Sequence, residues 1–235
     1  MAVSFKSASL PLALVLSLGF SGAVSADALT ENFGNGIPAG WTIDNLSNPE
    51  GATSWYQGST NAFDAYEGAP DSYIAANYNS VALAGPISTW LILPGSTYNN
   101  GDTLSFYTRT STGSDYADRL EVRFSNVGGT DVGNDENSVG TFGTLLLSIN
   151  PDEEDTGYPD DWTRFSATLS GLSGATVGAF AFRYTVSDGG AFGSGSNYIG
   201  IDSVSISAVP EPGAWLMLGM GAGLLAFMRK RKVGV

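Results

Sequence analysis

Carboxylates are the only abundant reactive side chains in this sequence. It carries 23 Asp and Glu but no His and no Cys, which removes the commonest general base, the commonest metal ligand and every thiolate. Ser-His-Asp and Cys-His catalysis and thiolate zinc sites are excluded on that ground. Carboxylates alone can still hold hard cations through oxygen, or work in pairs on a glycosidic bond.

Glu31 near the start and Asp202 near the end are the pair of greatest interest. If the first and last strands lie side by side, these charges meet and repel unless a cation or a proton intervenes. A structural Ca2+ held by Glu31, Asp202 and Asp71 with backbone carbonyls is one resolution. The other is that each carboxylate is separately solvated or bonded to backbone N–H groups. Asp152-Glu153-Glu154-Asp155, followed by Asp160-Asp161, is denser in charge but lacks the Gly-centred spacing of an EF-hand, and reads as a solvated loop. The stretch 131–137 also reads as a loop. Trp41, Trp55, Tyr56 and Tyr66 could form a platform on which sugar rings stack, or could fill the core. Gly193-Ser194-Gly195 lacks the strand, helix and basic residue that a phosphate site requires.

The elements that would position these residues are strands. Glycine, at 31 of 235 residues, together with Ser, Thr, Asn and Asp punctuates short apolar runs. Leu104, Phe106 and Thr108 alternate with Ser105, Tyr107 and Arg109, and Leu120, Val122 and Phe124 alternate with Arg119, Glu121 and Arg123. Period two with one polar face predicts half-buried antiparallel strands. Further strands are expected at 88–93, 144–149, 163–169, 177–187 and 198–207, with Phe180, Phe182, Tyr184 and Val186 on one face. No stretch between Asp27 and Val209 sustains helical periodicity, so the expected fold is all-β, an antiparallel β-sandwich of jelly-roll type. With no linker or repeat to divide it, the body at 27–208 is expected to form one domain.

That body holds 22 acidic residues against five Arg and no Lys, a balance of −17. It repels nucleic acid and anionic lipid, and favours cations or neutral glycans as partners. The basic residues lie at the two ends. Residues 1–26 begin with Lys6, continue apolar from Leu10 to Phe20 and end in Val24-Ser25-Ala26, the pattern of a signal peptide cleaved after Ala26. At the other end come Val209, Pro210, Glu211 and Pro212, a 15-residue apolar stretch from Ala214 to Met228, and then Arg229, Lys230, Arg231 and Lys232. This is short for a transmembrane helix but can span with local thinning and snorkelling ends. The basic cluster stays cytoplasmic while the signal peptide sends the body outward, so the two ends agree on one topology. Pro210 and Pro212 keep the intervening peptide extended and open to a processing enzyme.

Pro-Glu-Pro, a short apolar segment and a basic tail in that order closely resemble the PEP-CTERM sorting signal of Gram-negative bacteria. The resemblance assigns 209–235 to sorting and anchoring, makes Glu211 and its flanking prolines the recognition motif, and implies an exosortase-type membrane enzyme as partner. It also implies an inner-membrane-anchored intermediate, followed by the cell surface or extracellular matrix. The body resembles the choice-of-anchor J domain, a MAM-like jelly roll, through Phe33-Gly34-Asn35-Gly36-Ile37-Pro38-Ala39-Gly40-Trp41, Ser54-Trp55-Tyr56-Gln57-Gly58, Trp90-Leu91-Ile92-Leu93-Pro94 and Tyr198-Ile199-Gly200-Ile201-Asp202. That resemblance implies a fold and a surface setting but no activity. The expected function is a noncatalytic exported protein acting in adhesion, glycan binding or exopolysaccharide and biofilm association. A carboxylate-dependent glycoside hydrolase and a purely structural envelope component are the alternatives.

Overall fold

The computed structural model of the chain describes residues 29–209. Within them the chain folds as an antiparallel β-sandwich of jelly-roll type. The strands are β1 (Leu29–Glu31), β2 (Thr42–Asn45), β3 (Tyr56–Gln57), β4 (Ile74–Asn77), β5 (Gly85–Ile92), β6 (Ser96–Tyr98), β7 (Thr103–Thr110), β8 (Leu120–Ser125), β9 (Thr144–Ile149), β10 (Thr163–Thr168), β11 (Thr176–Gly189) and β12 (Tyr198–Ser207). One sheet runs β10-β7-β12-β4-β3 with β1 also on β12, and the other runs β2-β5-β11-β8-β9 with β6 also on β11. A single 3-10 turn at Tyr78–Ser80 interrupts the strands. Among the described residues no helix is long and apolar enough to cross a membrane. The signal peptide at 1–26 and the short transmembrane helix expected within 214–228 lie outside the described residues.

Alternation places the core as expected. Leu104 and Phe106 from one sheet meet Leu120, Val122, Phe124, Phe180, Phe182 and Tyr184 from the other, all at most 1% exposed. Ring edges lock the two layers together, with Phe106 and Phe182 at 4.9 Å and T-shaped.

The outward faces depart from the expectation that each strand has one solvated side. On the second sheet, Trp90, Ile92, Ala179 and Ala181 form a second apolar cluster with Val132 and Phe142 of the β8–β9 loop. That loop contains the acidic 131–137 stretch, and it packs across the sheet rather than standing free. Beneath it Glu121, 2% exposed, accepts from Arg119 at 2.6 Å, Arg123 at 2.6 Å and Arg183 at 3.3 Å. Arg183 also sits over the Trp90 ring at 5.2 Å and donates to the Glu136 carbonyl. On the first sheet the β3–β4 loop lays Phe63 on Tyr73, stacked at 5.0 Å, with Arg109 over the Phe63 ring at 4.6 Å.

The strand directions give the sandwich two poles. Ser207, Thr103, Thr168, Leu29, Ile92 and Thr176 end at one pole, from which the chain leaves toward its C-terminus. Asn77, Thr110, Ile149, Gly189 and Tyr198 mark the far pole.

Candidate functional site

With much of both outer faces covered, the ends of the sandwich are left for recognition: Pro38, Trp41, Pro94 and Tyr98 line a cleft of about 430 Å³ at the near pole, and the far pole carries the cleft with the most exposed aromatic rings. Tyr78 of the 3-10 turn, Tyr116 of the β7–β8 turn and Gly190, Ala191, Gly193, Ser196 and Asn197 of the β11–β12 loop line a cleft of about 260 Å³. Tyr78 and Tyr116 keep 36% and 39% of their surface exposed, and Phe192 beside them keeps 79%. Three partly exposed rings gathered in loops at one pole offer a surface on which a ligand can stack.

The cleft floor is held rigidly. Asp118, fully buried, accepts from the Tyr184 hydroxyl at 2.6 Å and the Asn197 N–H at 2.9 Å through one oxygen, and from Thr110 Oγ1 at 3.0 Å through the other. The Asn197 side chain donates to Ser114 Oγ at 3.1 Å, and the Asn197 backbone carbonyl accepts from Tyr78 N–H at 2.9 Å. Gly190 adopts φ +101°, and a Cβ there would lie 2.3 Å from the Leu83 carbonyl oxygen, so only glycine allows the loop to turn here. The Tyr78 backbone and the Asn197 side chain are thus set in place before any ligand arrives, which lowers the entropy cost of binding.

Burial pushes the Asp118 carboxyl from 3.8 up to about 6, against the pull of its hydrogen bonds from Tyr184, Asn197 and Thr110. Burial also raises Tyr184 and Tyr158, next to the same carboxylate. Because the folded state holds this proton more tightly than the unfolded chain, the stabilisation is complete below pH 3.8 and is lost as pH rises through about 6. In thermal melts between those values Asp118→Asn is expected to abolish this fall, leaving a flatter stability profile than the parent. A profile with the parent's slope would show that Asp118 does not titrate there.

A larger cleft of about 580 Å³ lies on the other side of the β7–β8 turn, between the edges of the two sheets. It is lined by Ser114, Asn150, Tyr158, Asp160 and Phe165 among others. Asn150, Glu153 and Thr156 near its rim all take positive φ, between 51° and 61°, a strained run for non-glycine residues. Asp160 is the sole carboxylate among its lining residues, whereas a glycosidase needs two flanking the bond.

The residues singled out in the sequence are dispersed. Pairing of β1 with β12 does bring Glu31 opposite Val204, two positions from Asp202. The carboxylates are nonetheless satisfied by amides. Glu31 Oε1 accepts from Phe33 N–H at 2.7 Å, and Asp202 accepts from Tyr66, Glu67 and Ser203 N–H at 2.8, 3.0 and 2.5 Å. Burial raises the Asp202 carboxyl, and those amides partly offset the rise. Asp71 takes part through its carbonyl, which accepts from the Gln57 side chain and from Tyr73 N–H. Among the described residues no group of three or more Asp or Glu is arranged to hold a metal ion, so Glu31, Asp71 and Asp202 do not form the expected ligand set. Asp202 instead fastens the β3–β4 loop to the last strand.

The four aromatics expected as one sugar platform are likewise apart. Trp55 is core, 3% exposed, and donates to the Thr89 carbonyl at 3.3 Å, out of a ligand's reach. Trp41 packs edge-on against Phe33 at the near pole. Tyr56 is half-buried with its hydroxyl accepting from Asn77 Nδ2, and burial lifts its pKa to about 12. Tyr66 is 46% exposed and stacks on Tyr107 at 3.6 Å. Tyr78, Tyr116 and Phe192 were not indicated by spacing. Their one signal is an isolated aromatic ring among Asn, Gly, Ser and Asp.

Fold and site together define an antiparallel sandwich with a preformed aromatic cleft in the loops at one end. The sandwich is similar to the K1 cleaved adhesin domain of Lys-gingipain from Porphyromonas gingivalis W83, at 22% identity and a TM-score of 0.52, over 78% of this chain and 99% of that one. It is also similar to the K3 cleaved adhesin domain of the same protein, at 20% identity and 0.51, over 77% and 98%. At such identities the likeness shows the fold alone. Residues 208–232 match the PEP-CTERM protein-sorting motif, which implies export and surface sorting in Gram-negative bacteria. No curated protein matches the chain.

Proposed function

We propose that this chain is a noncatalytic surface protein with a choice-of-anchor J-like body, exported, sorted through its C-terminal motif and binding neutral glycans in the far-pole cleft. The carrying observation is the pair of exposed tyrosines, Tyr78 and Tyr116, over a floor fixed by the Asp118 network. Sugar rings stack on aromatic faces, and the half-buried Asn197 amide lining the cleft supplies a polar contact that selects among them. A volume somewhat below the range of about 300–1,000 Å³ usual for drug-sized ligands suits one sugar ring.

Charge narrows the ligand further. The far-pole segments 46–55, 111–119, 150–162 and 187–197 hold ten acidic residues and one Arg, a field that repels uronate and sulfated chains. An exosortase-type enzyme reads Pro210, Glu211 and Pro212, and the neutral glycans of an exopolysaccharide matrix are the class of partner met after release. A glycan array probed with the protein, with and without Ca2+, tests this reading. Binding is expected on uncharged oligosaccharides and not on uronate-rich or sulfated ones. Preference for the acidic glycans, or silence across the array in both conditions, contradicts it.

A further inference from the structure

We propose that the charge-poor near pole of the sandwich faces the membrane while the sorting segment holds the chain there, so that the acidic far pole and its cleft point outward. This rests on the sorting reading of 209–235. The fold reaches into that segment with no intervening linker: Asp102, fully buried, accepts from Val209 N–H at 3.0 Å and from Asn99 N–H at 2.9 Å. Val209 also packs over Gly101, where a Cβ would lie 2.7 Å from its Cγ2. Only the four residues Pro210 to Gly213 separate Val209 from the apolar stretch starting at Ala214. Fully extended, the five steps from Val209 to Ala214 cover at most about 18 Å, so the near pole is tethered close to the lipid headgroups.

Surface chemistry at that pole fits a lipid surface. The near-pole segments 36–42, 93–102, 126–130 and 169–175 contain one charged residue between them, the buried Asp102, and Glu31 of β1 and Asp131 adjoin them, against ten acidic residues in the far-pole segments. Val127 and Val177 are 65% and 61% exposed there. The acids gather instead at the far pole, and the ten residues of β12 separate the two poles by about 30 Å. An acidic body approaching an anionic leaflet is repelled over a Debye length of about 8 Å at physiological salt. Standing on its charge-poor pole, the body keeps most of its charge several Debye lengths away.

The chain has no native Cys, so single labels can be placed at will. The full chain would be reconstituted in phosphatidylethanolamine and phosphatidylglycerol vesicles carrying a nitroxide headgroup quencher. Fluorophores would be attached at Val127→Cys and Val177→Cys on the near pole, and at Asp155→Cys and Phe192→Cys on the far pole. Quenching several-fold stronger at both near-pole sites is expected. Equal quenching at the two poles, or stronger quenching at 155 and 192, in a chain that floats with the vesicles overturns the orientation alone. A chain that does not float with them removes the sorting reading and this inference together.

Discussion

Replacing Glu121 with Ala is expected to destabilise the sandwich by about 3–5 kcal/mol, the cost of breaking a buried ion pair by removing one partner. Three guanidinium groups converge on this one carboxylate, and Arg183, 6% exposed, cannot turn to water. Burial alone would raise the Glu121 carboxyl, but Arg123, Arg183 and Arg119 more than offset it and hold the group below its ordinary value. Stability from Glu121 is therefore present above its unfolded pKa of 4.5 and lost as pH falls through its lowered value. The same network fastens the β8–β9 loop, since Arg123 donates to the Phe142 carbonyl at 3.3 Å and Arg183 to that of Glu136. Urea unfolding gives the loss in stability, and limited proteolysis is expected to cut within 126–143 in the variant but not in the parent. Pairing Glu121→Leu with Arg183→Met should recover part of the loss, because no buried charge at position 183 is then left without its partner.

The second large effect falls on binding. Tyr78→Ala and Tyr116→Ala each remove an aromatic face from the cleft, and truncating such a hot-spot residue costs about 2 kcal/mol, or roughly 30-fold in Kd. Calorimetric titration with the strongest array ligand measures this. Both side chains are more than a third exposed, so the melting midpoint should barely move. Tyr66→Ala is the control: Tyr66 is more exposed than either but sits on the first sheet's outer face against Tyr107, and its loss should leave the affinity unchanged. Parent-like affinity in both cleft variants would dismiss the cleft as the binding site.

The long strands were legible because alternation survives wherever six or more residues separate an apolar from a polar face. β7, β8, β9, β10 and β12 fall within a residue or so of where periodicity places them, and β5 and β11 extend two or three residues further. β1, β2, β3, β4 and β6 have two to four residues, too few for a period of two to stand out. In β8 the alternation gave the face correctly but not its surroundings. Glu121 between Arg119 and Arg123 resembles a solvated ladder, and only the fold shows Arg183 arriving from β11 and Phe142 closing over it. Asp202 is similar: the approach of β1 to β12 enters the sequence reading only as a condition, which the pairing meets, whereas the amides of Tyr66 and Glu67 come from a loop more than 130 residues away in sequence. The cleft was hardest to foresee, because Tyr78, Tyr116 and Asn197 meet only through the order of turns at one pole.

The most direct test is a crystal structure of the protein soaked with the neutral oligosaccharide it binds most tightly. A sugar ring lying on Tyr78 or Tyr116, with Asn197 in hydrogen-bond reach, is the predicted result. A ring seated instead between the sheet edges beside Tyr158 and Phe165, or against Tyr66 and Tyr107, would contradict the account.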